Sequence, residues 1–286
     1  MLTYPHIDPI IVSFGRIGIH WYGMMYVIGL ALGWWIGRVR ARRPDSGWTP
    51  AEVDDLVFYV GLGVVIGGRL GYMLFYEPFL PAAQQSHFWE VWKGGMSFHG
   101  GLLGVLIAMW LFGRKYHKRF FTITDFIAPL VPLGLGPGRL GNFINGELWG
   151  KVSDLPWAMR LPCNDPRFTD LYCHGATTGY SRPHLPTQLY EFVLEGVVLF
   201  IILWFYSSRP RPTMAVSGLF LIGYGAFRFA VEFVRLPDKP LGYLAFGWVT
   251  MGQVLSVPMI LAGIGLMWWA YARRRRNRDT SRQAGV

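Results

Sequence analysis

LYEFVLEGVVLFIILWFY, residues 189–206, runs eighteen residues with no polar side chain except Tyr and the two glutamates Glu191 and Glu195. A helix needs about 20 predominantly apolar residues to cross a ~30 Å hydrocarbon layer, so a stretch of this length reads as a membrane span. Working outward in both directions, comparable stretches lie near 19–37, 53–75, 95–113, 123–145, 216–234 and 246–270. The expected fold class is therefore all-α, a polytopic integral membrane protein with seven transmembrane helices. Composition agrees: of 286 residues 52% are hydrophobic and 15% charged, against roughly 25% charged in soluble domains, and mean hydropathy is +0.29. Disorder and a disulfide-rich miniature domain are excluded by the same figures. The first stretch has neither a basic leader nor a small-residue cleavage site after it and reads as a retained span.

Charge sets the expected orientation. Sixteen of the 27 basic residues fall after the first, third, fifth and seventh spans, which makes that side cytoplasmic. The N-terminus is then periplasmic and the C-terminus cytoplasmic, with 273–286 a basic cytoplasmic tail. The net charge of +10 is thereby explained by loop charges facing anionic headgroups, and needs no nucleic-acid partner. The remaining basic residues outside the spans, among them Arg16, Lys93, Arg167, Arg235 and Lys239, are expected on the other side. Residues 151–188, with five prolines, form the one long connection and are expected to build a small periplasmic head between helices four and five. The whole chain, 1–286, reads as a single membrane-embedded domain.

Ionised side chains at membrane depth are costly and normally face the bundle interior with a partner. Arg69, Arg139 and Arg228 each sit six residues inside the external end of a predicted span, roughly 9 Å deep at the helical rise per residue. His99 and Tyr26 fall near the same level. Tyr224, Arg228 and Glu232, spaced i, i+4, i+8, lie along one helix face. Taken alone the last two read as a structural ion pair. With Arg69 and Arg139 added, acids look too few, with Glu147 and Glu232 the obvious ones and Glu191 and Glu195 further candidates. Positive charge is then left for an anionic ligand, and guanidinium forks suit phosphate best. Span four carries Pro129, Pro132, Gly134, Gly136, Pro137, Gly138 and Gly141 before Asn142, Asn145 and Glu147. Broken backbone through these residues is expected to wall a ligand site. Buried beside arginines and neutral, His99 would serve as a general base; a packing role is its alternative. No metal-ligand spacing, phosphate loop or dinucleotide signature occurs, so no cofactor is expected. Cys163 and Cys173, in the external loop, are open to a disulfide or to two free thiols.

Four runs carry a more specific signal: Ser97-Phe98-His99-Gly100-Gly101; Gly138-Arg139-Leu140-Gly141-Asn142-Phe143-Ile144-Asn145-Gly146-Glu147; Pro186-Thr187-Gln188-Leu189-Tyr190-Glu191; and Tyr224-Gly225-Ala226-Phe227-Arg228-Phe229 with Glu232. In this order and on these spans the chain resembles the bacterial prolipoprotein diacylglyceryl transferase family along nearly its whole length. The resemblance implies an enzyme of the bacterial cytoplasmic (inner) membrane with its active site toward the outer leaflet. It would move the diacylglyceryl group of phosphatidylglycerol onto the lipobox cysteine of a prolipoprotein signal peptide, releasing glycerol 1-phosphate. By the same resemblance His99, Arg139, Arg228, Tyr26 and Glu232 are catalytic. Arg139, Asn142, Glu147, Gly150, Tyr224, Arg69, Gly100, Gly101, Gln188 and Tyr190 would bind substrate. A transporter or flippase for an anionic lipid is the alternative class. Transporters commonly pair discontinuous helices around a midplane site, whereas here one span is broken and the polar layer is off-centre.

Overall fold

The computed structural model describes residues 2–14, 17–79, 87–90, 95–237 and 242–283. Arg16, Lys93 and Lys239 lie outside these. Two compact units are present, residues 34–127 and residues 1–33 with 128–286, and each is described by itself.

Within residues 34–127, α1 (Trp21–Ala41) contributes its C-terminal part, followed by α2 (Pro50–Phe75), α3 (Phe98–Lys115) and α4 (Phe120–Ile127). Thr49 and Glu52 form a reciprocal cap that starts α2, satisfying two backbone donors that a helix start leaves unpaired. Ser97 caps α3 through Gly100 N–H at 3.2 Å. These two helices meet along a seam of glycines. A Cβ on Gly63 would fall 2.6 Å from Gly104 O, and one on Gly71 2.7 Å from Gly100 Cα. Small residues let helix backbones approach where lipid offers no hydrophobic drive for association. Arg69 is fully buried. It donates through Nε to Phe88 O (3.1 Å), Nη1 to Gly95 O (3.2 Å) and Nη2 to His87 O (2.6 Å).

The other unit contains α5 (Val131–Asn145), α6 (Thr187–Ser207), α7 (Ala215–Glu232) and α8 (Met251–Gln283). The expected break in span four is narrower than the prolines and glycines suggested. Backbone leaves helical geometry at 128–130 and again after Asn145, while α5 runs through Pro137. Its glycines serve close approach instead: a Cβ on Gly196 of α6 would fall 2.8 Å from Gly136 Cα. Residues Phe192–Val198 inside α6 are π-helical, a widened turn often found at functional sites.

Pro50–Phe79, Thr187–Ser207, Ala215–Glu232 and Met251–Arg276 are long and apolar enough to cross a membrane, and Phe120–Ile127 with Val131–Asn145 makes a fifth if counted as one broken span. α1 and α3 occupy the two other expected stretches; His99, Arg114 and Lys115 in α3, and Arg38 and Arg40 with the tryptophans and tyrosines in α1, lower their hydropathy. The structure departs from an all-α fold at the N-terminus. β1 (Leu2–Thr3) pairs in parallel with β4 (Met159–Arg160), and β2 (Ile10–Phe14) pairs antiparallel with β3 (Ile17–His20). The β-branched Ile10-Ile11-Val12 run favours strand geometry but is too short to stand out beside the spans.

The long connection folds around Tyr4, Trp149, Leu161 and Phe168. Cys163 and Cys173 are joined as a disulfide, which decides between the two states the spacing left open. Thr187 and Gln188, expected in this connection, belong to α6.

Candidate active site

Helix periodicity puts Glu191 and Glu195 about one turn apart on α6, and both carboxylates are fully buried. They meet Arg139 of α5: Nη2 stands 2.9 Å from Glu195 Oε2, and Nη1 stands 3.2 Å from Glu191 Oε2. Glu191 also accepts from Arg228 Nη1. One α7 turn further, Glu232 lies 2.5 Å from Arg228 Nη2 and takes Thr250 Oγ1–H at 2.6 Å on its other oxygen. Arg235 completes the array, 3.1 Å from Glu232 and 3.8 Å from Glu191.

Three guanidiniums thus face three carboxylates. The expectation of surplus positive charge is corrected: Glu191 and Glu195 supply the acids that seemed too few, because α6 packs against α5 through Gly136 and Gly196. Arg235 is corrected as well, from a scattered external residue to a buried member of the cluster. Its spacing of three from Glu232 and seven from Arg228 is the available signal, and it lies one residue beyond the expected end of the span. Arg139 and Arg228 keep 17% and 16% of their side chains exposed, while Glu191 and Glu195 keep none. The acids are therefore the inner shell of the cluster, and the guanidinium edges reach its surface. Removing Glu191 would leave three cations facing two anions in the interior, so Glu191→Ala should cost about 3–5 kcal/mol. Thermal unfolding in detergent reads this, and an unchanged midpoint would mean that these ion pairs contribute nothing net.

Beyond α5 the chain turns at Gly146 (φ 75°), a left-handed geometry in which glycine carries no Cβ penalty. The turn brings Glu147 back, where Asn142 Nδ2 and Asn145 Nδ2 each donate to its carboxylate at 3.3 Å. Gln188 Nε2 donates to Glu147 O, and Thr187 Oγ1 to Leu148 O at 2.6 Å. Gly150 lies in a bridge with Arg235, and a Cβ there would fall 2.7 Å from Val234 O. Gln188 and Gly150 therefore hold the Glu147 loop through backbone contacts. Tyr224 is half-buried and stacks on Phe220. The Tyr190 hydroxyl accepts from Trp157 Nε1 at 2.6 Å. Tyr26 is exposed, its hydroxyl 2.9 Å from that of Tyr22.

His99, Arg69, Gly100 and Gly101 belong to the 34–127 unit. His99 is exposed at the start of α3, which corrects its expected burial: the face of α3 set against α2 carries Ser97, Gly100 and Gly104, His99 lies off that face, and its side chain meets only the Phe98 ring edge among the ring contacts seen. Gly100 is used in the seam with α2, and Arg69 is used on backbone carbonyls.

His184, near the head end of the site, is buried and faces Gly150 O through Nδ1 at 2.8 Å. Burial pushes its pKa below the ordinary histidine value, with Arg182 and His174 lowering it further against the opposing hydrogen bond. The neutral ring is therefore favoured by folding, and the unfolded chain binds the extra proton. Stability from this group is complete above about pH 6.5 and is lost as pH falls from there toward the lower folded value. Unfolding midpoints should drop between pH 7.5 and 5.5 in the wild type and drop less in His184→Gln. Equal pH slopes would dismiss the effect.

Fold and cluster together define a multi-pass helical membrane protein with a charge-balanced arginine–glutamate site beside a glycine-terminated helix. The family model described as prolipoprotein diacylglyceryl transferase matches residues 9–269. A Pseudomonas paraeruginosa protein named phosphatidylglycerol–prolipoprotein diacylglyceryl transferase is 58% identical over 96% of this chain and 97% of its own length. Proteins of the same name from Azotobacter vinelandii (58% identical, 96% of this chain and 99% of the relative) and Pseudomonas fluorescens (55%, 98% and 100%) are similar throughout. The chain belongs to the prolipoprotein diacylglyceryl transferase family.

Proposed function

We propose that this protein transfers the diacylglyceryl group of phosphatidylglycerol to the lipobox cysteine of prolipoproteins, the first step of lipoprotein lipidation. The observation that carries the reading is the buried Arg139–Glu191–Arg228 bridge, in a chain matched by its family over nearly its full length. Sulfur attacks the glyceryl carbon, the carbon–oxygen bond to phosphate breaks, and the thiol proton passes to a base. Products are a thioether and glycerol 1-phosphate. Charge grows on the departing phosphate, and the edges of Arg139 and Arg228 are aimed by carboxylates that hold them before substrate arrives. Donors fixed in advance in a low-dielectric site need no reorganisation during the step. Glu232 orients Arg228, Tyr224 lines the same face, and Glu147, held by Asn142 and Asn145, accepts the hydroxyls of the glycerol headgroup. His99 takes the thiol proton; its exposure leaves it reachable by an incoming substrate. Tyr26 stands with the catalytic residues, and Gly101 and Tyr190 complete the substrate-binding set, with Arg69, Gly100, Gly150 and Gln188 supporting it through the backbone.

The reading includes seven spans with the N-terminus outside, inferred from the apolar runs and the basic loops, which would put the head and this chemistry at the outer leaflet of the bacterial inner membrane, where the phospholipid and the exported signal peptide both present themselves. Purified protein incubated with phosphatidylglycerol and a lipobox peptide should yield peptide heavier by one diacylglyceryl group. Peptide of unchanged mass, with lipid moved between leaflets of a vesicle, would replace the transferase reading by a flippase.

A further inference from the structure

The last carbonyls of a helix have no partner within it. At the end of α5 the Asn142 and Phe143 carbonyls accept from the turn's own N–H groups, and those of Phe143 and Ile144 also accept from side chains distant in sequence. Tyr4 Oη donates to Phe143 O and Ile144 O, both at 2.9 Å. Arg167 Nη1 also donates to Ile144 O, at 3.0 Å, and Trp149 Nε1 donates to Gly146 O at 3.1 Å. This same turn carries Asn142 and Asn145, which grip the Glu147 carboxylate, so its orientation decides where that carboxylate stands.

Arg167 is itself clamped. Asp165 Oδ2 lies 2.6 Å from its Nη2, Ile7 O accepts from the same nitrogen at 3.2 Å, and the guanidinium holds the Asp165 carboxyl below the usual range. The Cys163–Cys173 bond closes the short turn Pro166–Thr169 that presents it. Phe168 of that turn seats against Gly146, where a Cβ would fall 2.6 Å from the ring. A cation at a helix C-terminus is also favoured by the helix dipole.

We propose that Arg167 is a positioning residue for Glu147, fastening the end of α5 to the disulfide-closed turn so that the headgroup-binding carboxylate is held in place. The proposal rests on the reading of Glu147 as the residue that takes the glycerol headgroup. Loosening that hold weakens binding of phosphatidylglycerol before it slows chemistry. The full-length wild type, Arg167→Ala and Arg167→Lys are compared in detergent by hydrogen exchange of residues 142–150 and by steady-state transfer to a lipobox peptide. Arg167→Lys keeps a charge against Asp165 and is the folded variant should the alanine protein misfold. Expected are faster exchange across 142–150 and a KM for phosphatidylglycerol raised about fivefold to tenfold in Arg167→Ala, with kcat within about twofold and Arg167→Lys in between. Unchanged exchange in both variants overturns the proposal. A fall in kcat alone overturns it too, since lost protein, not a misplaced carboxylate, produces that pattern. If the wild type leaves the peptide unmodified, the transferase reading fails, and the exchange comparison still decides whether Arg167 holds the loop.

Discussion

Arg139→Lys is expected to lower transfer to a lipobox peptide by about 10²–10³-fold while the protein still inserts and folds. Arg139 spans two acids at once, Nε and Nη2 on Glu195 and Nη1 toward Glu191. Lysine keeps the charge that the buried carboxylates require, so the interior remains neutralised. Its ammonium is a point charge, however, and cannot grip an acid behind it and a planar pair of phosphate oxygens in front. The loss therefore falls on stabilisation of the leaving phosphate. At equal protein levels Arg228→Ala should likewise impair transfer more than Arg69→Ala, because Arg69 directs its donors to the carbonyls of His87, Phe88 and Gly95. Mass spectrometry of the peptide gives the rates. Wild-type turnover in Arg139→Lys would remove Arg139 from the mechanism, and the reverse order for the other pair would move the phosphate site away from the α5–α7 cluster.

His99→Gln is expected to slow the chemical step by about 10²-fold at neutral pH. A thiol titrates near pH 8.5, so between pH 7 and 8.5 the ionised share of the peptide cysteine rises roughly tenfold or more. The variant should recover by a similar factor, since thiolate already formed needs no base. Arginine variants should show no such recovery, because additional thiolate does nothing for the charge on the phosphate. Single-turnover rates across this pH range separate the two behaviours. A His99→Gln protein with the wild-type rate at pH 7 would remove His99 from the proton transfer.

Much of the site was legible because it is local. Tyr224, Arg228 and Glu232 share a face by helical spacing alone, and the Arg228–Glu232 pair joins residues four apart. Asn142, Asn145 and Glu147 lie within one turn and its reversal. The partners of Arg139 were not legible in this way, since its hydrogen bonds reach 56 residues along the chain to Glu195. Nothing in span four or span five by itself says that Gly136 will meet Gly196. Without that contact the charge count comes out positive, and with it the cluster is balanced.

The apolar runs, the distribution of basic loops and the four motif runs were sufficient to establish, from sequence, a helical membrane protein and the family to which it belongs. Burial and periodicity act over a few turns, and those effects are written in neighbouring residues. The tertiary structure alone decided that α5 continues through Pro137, that Cys163 and Cys173 are joined, and that Arg235 is interior while His99 is exposed. It alone placed Tyr4 and Arg167 on the carbonyls that end α5. Each of these depends on which distant segments come close enough to share a hydrogen bond, an ion pair or a disulfide, and such proximity is set by packing between elements, which no local period encodes.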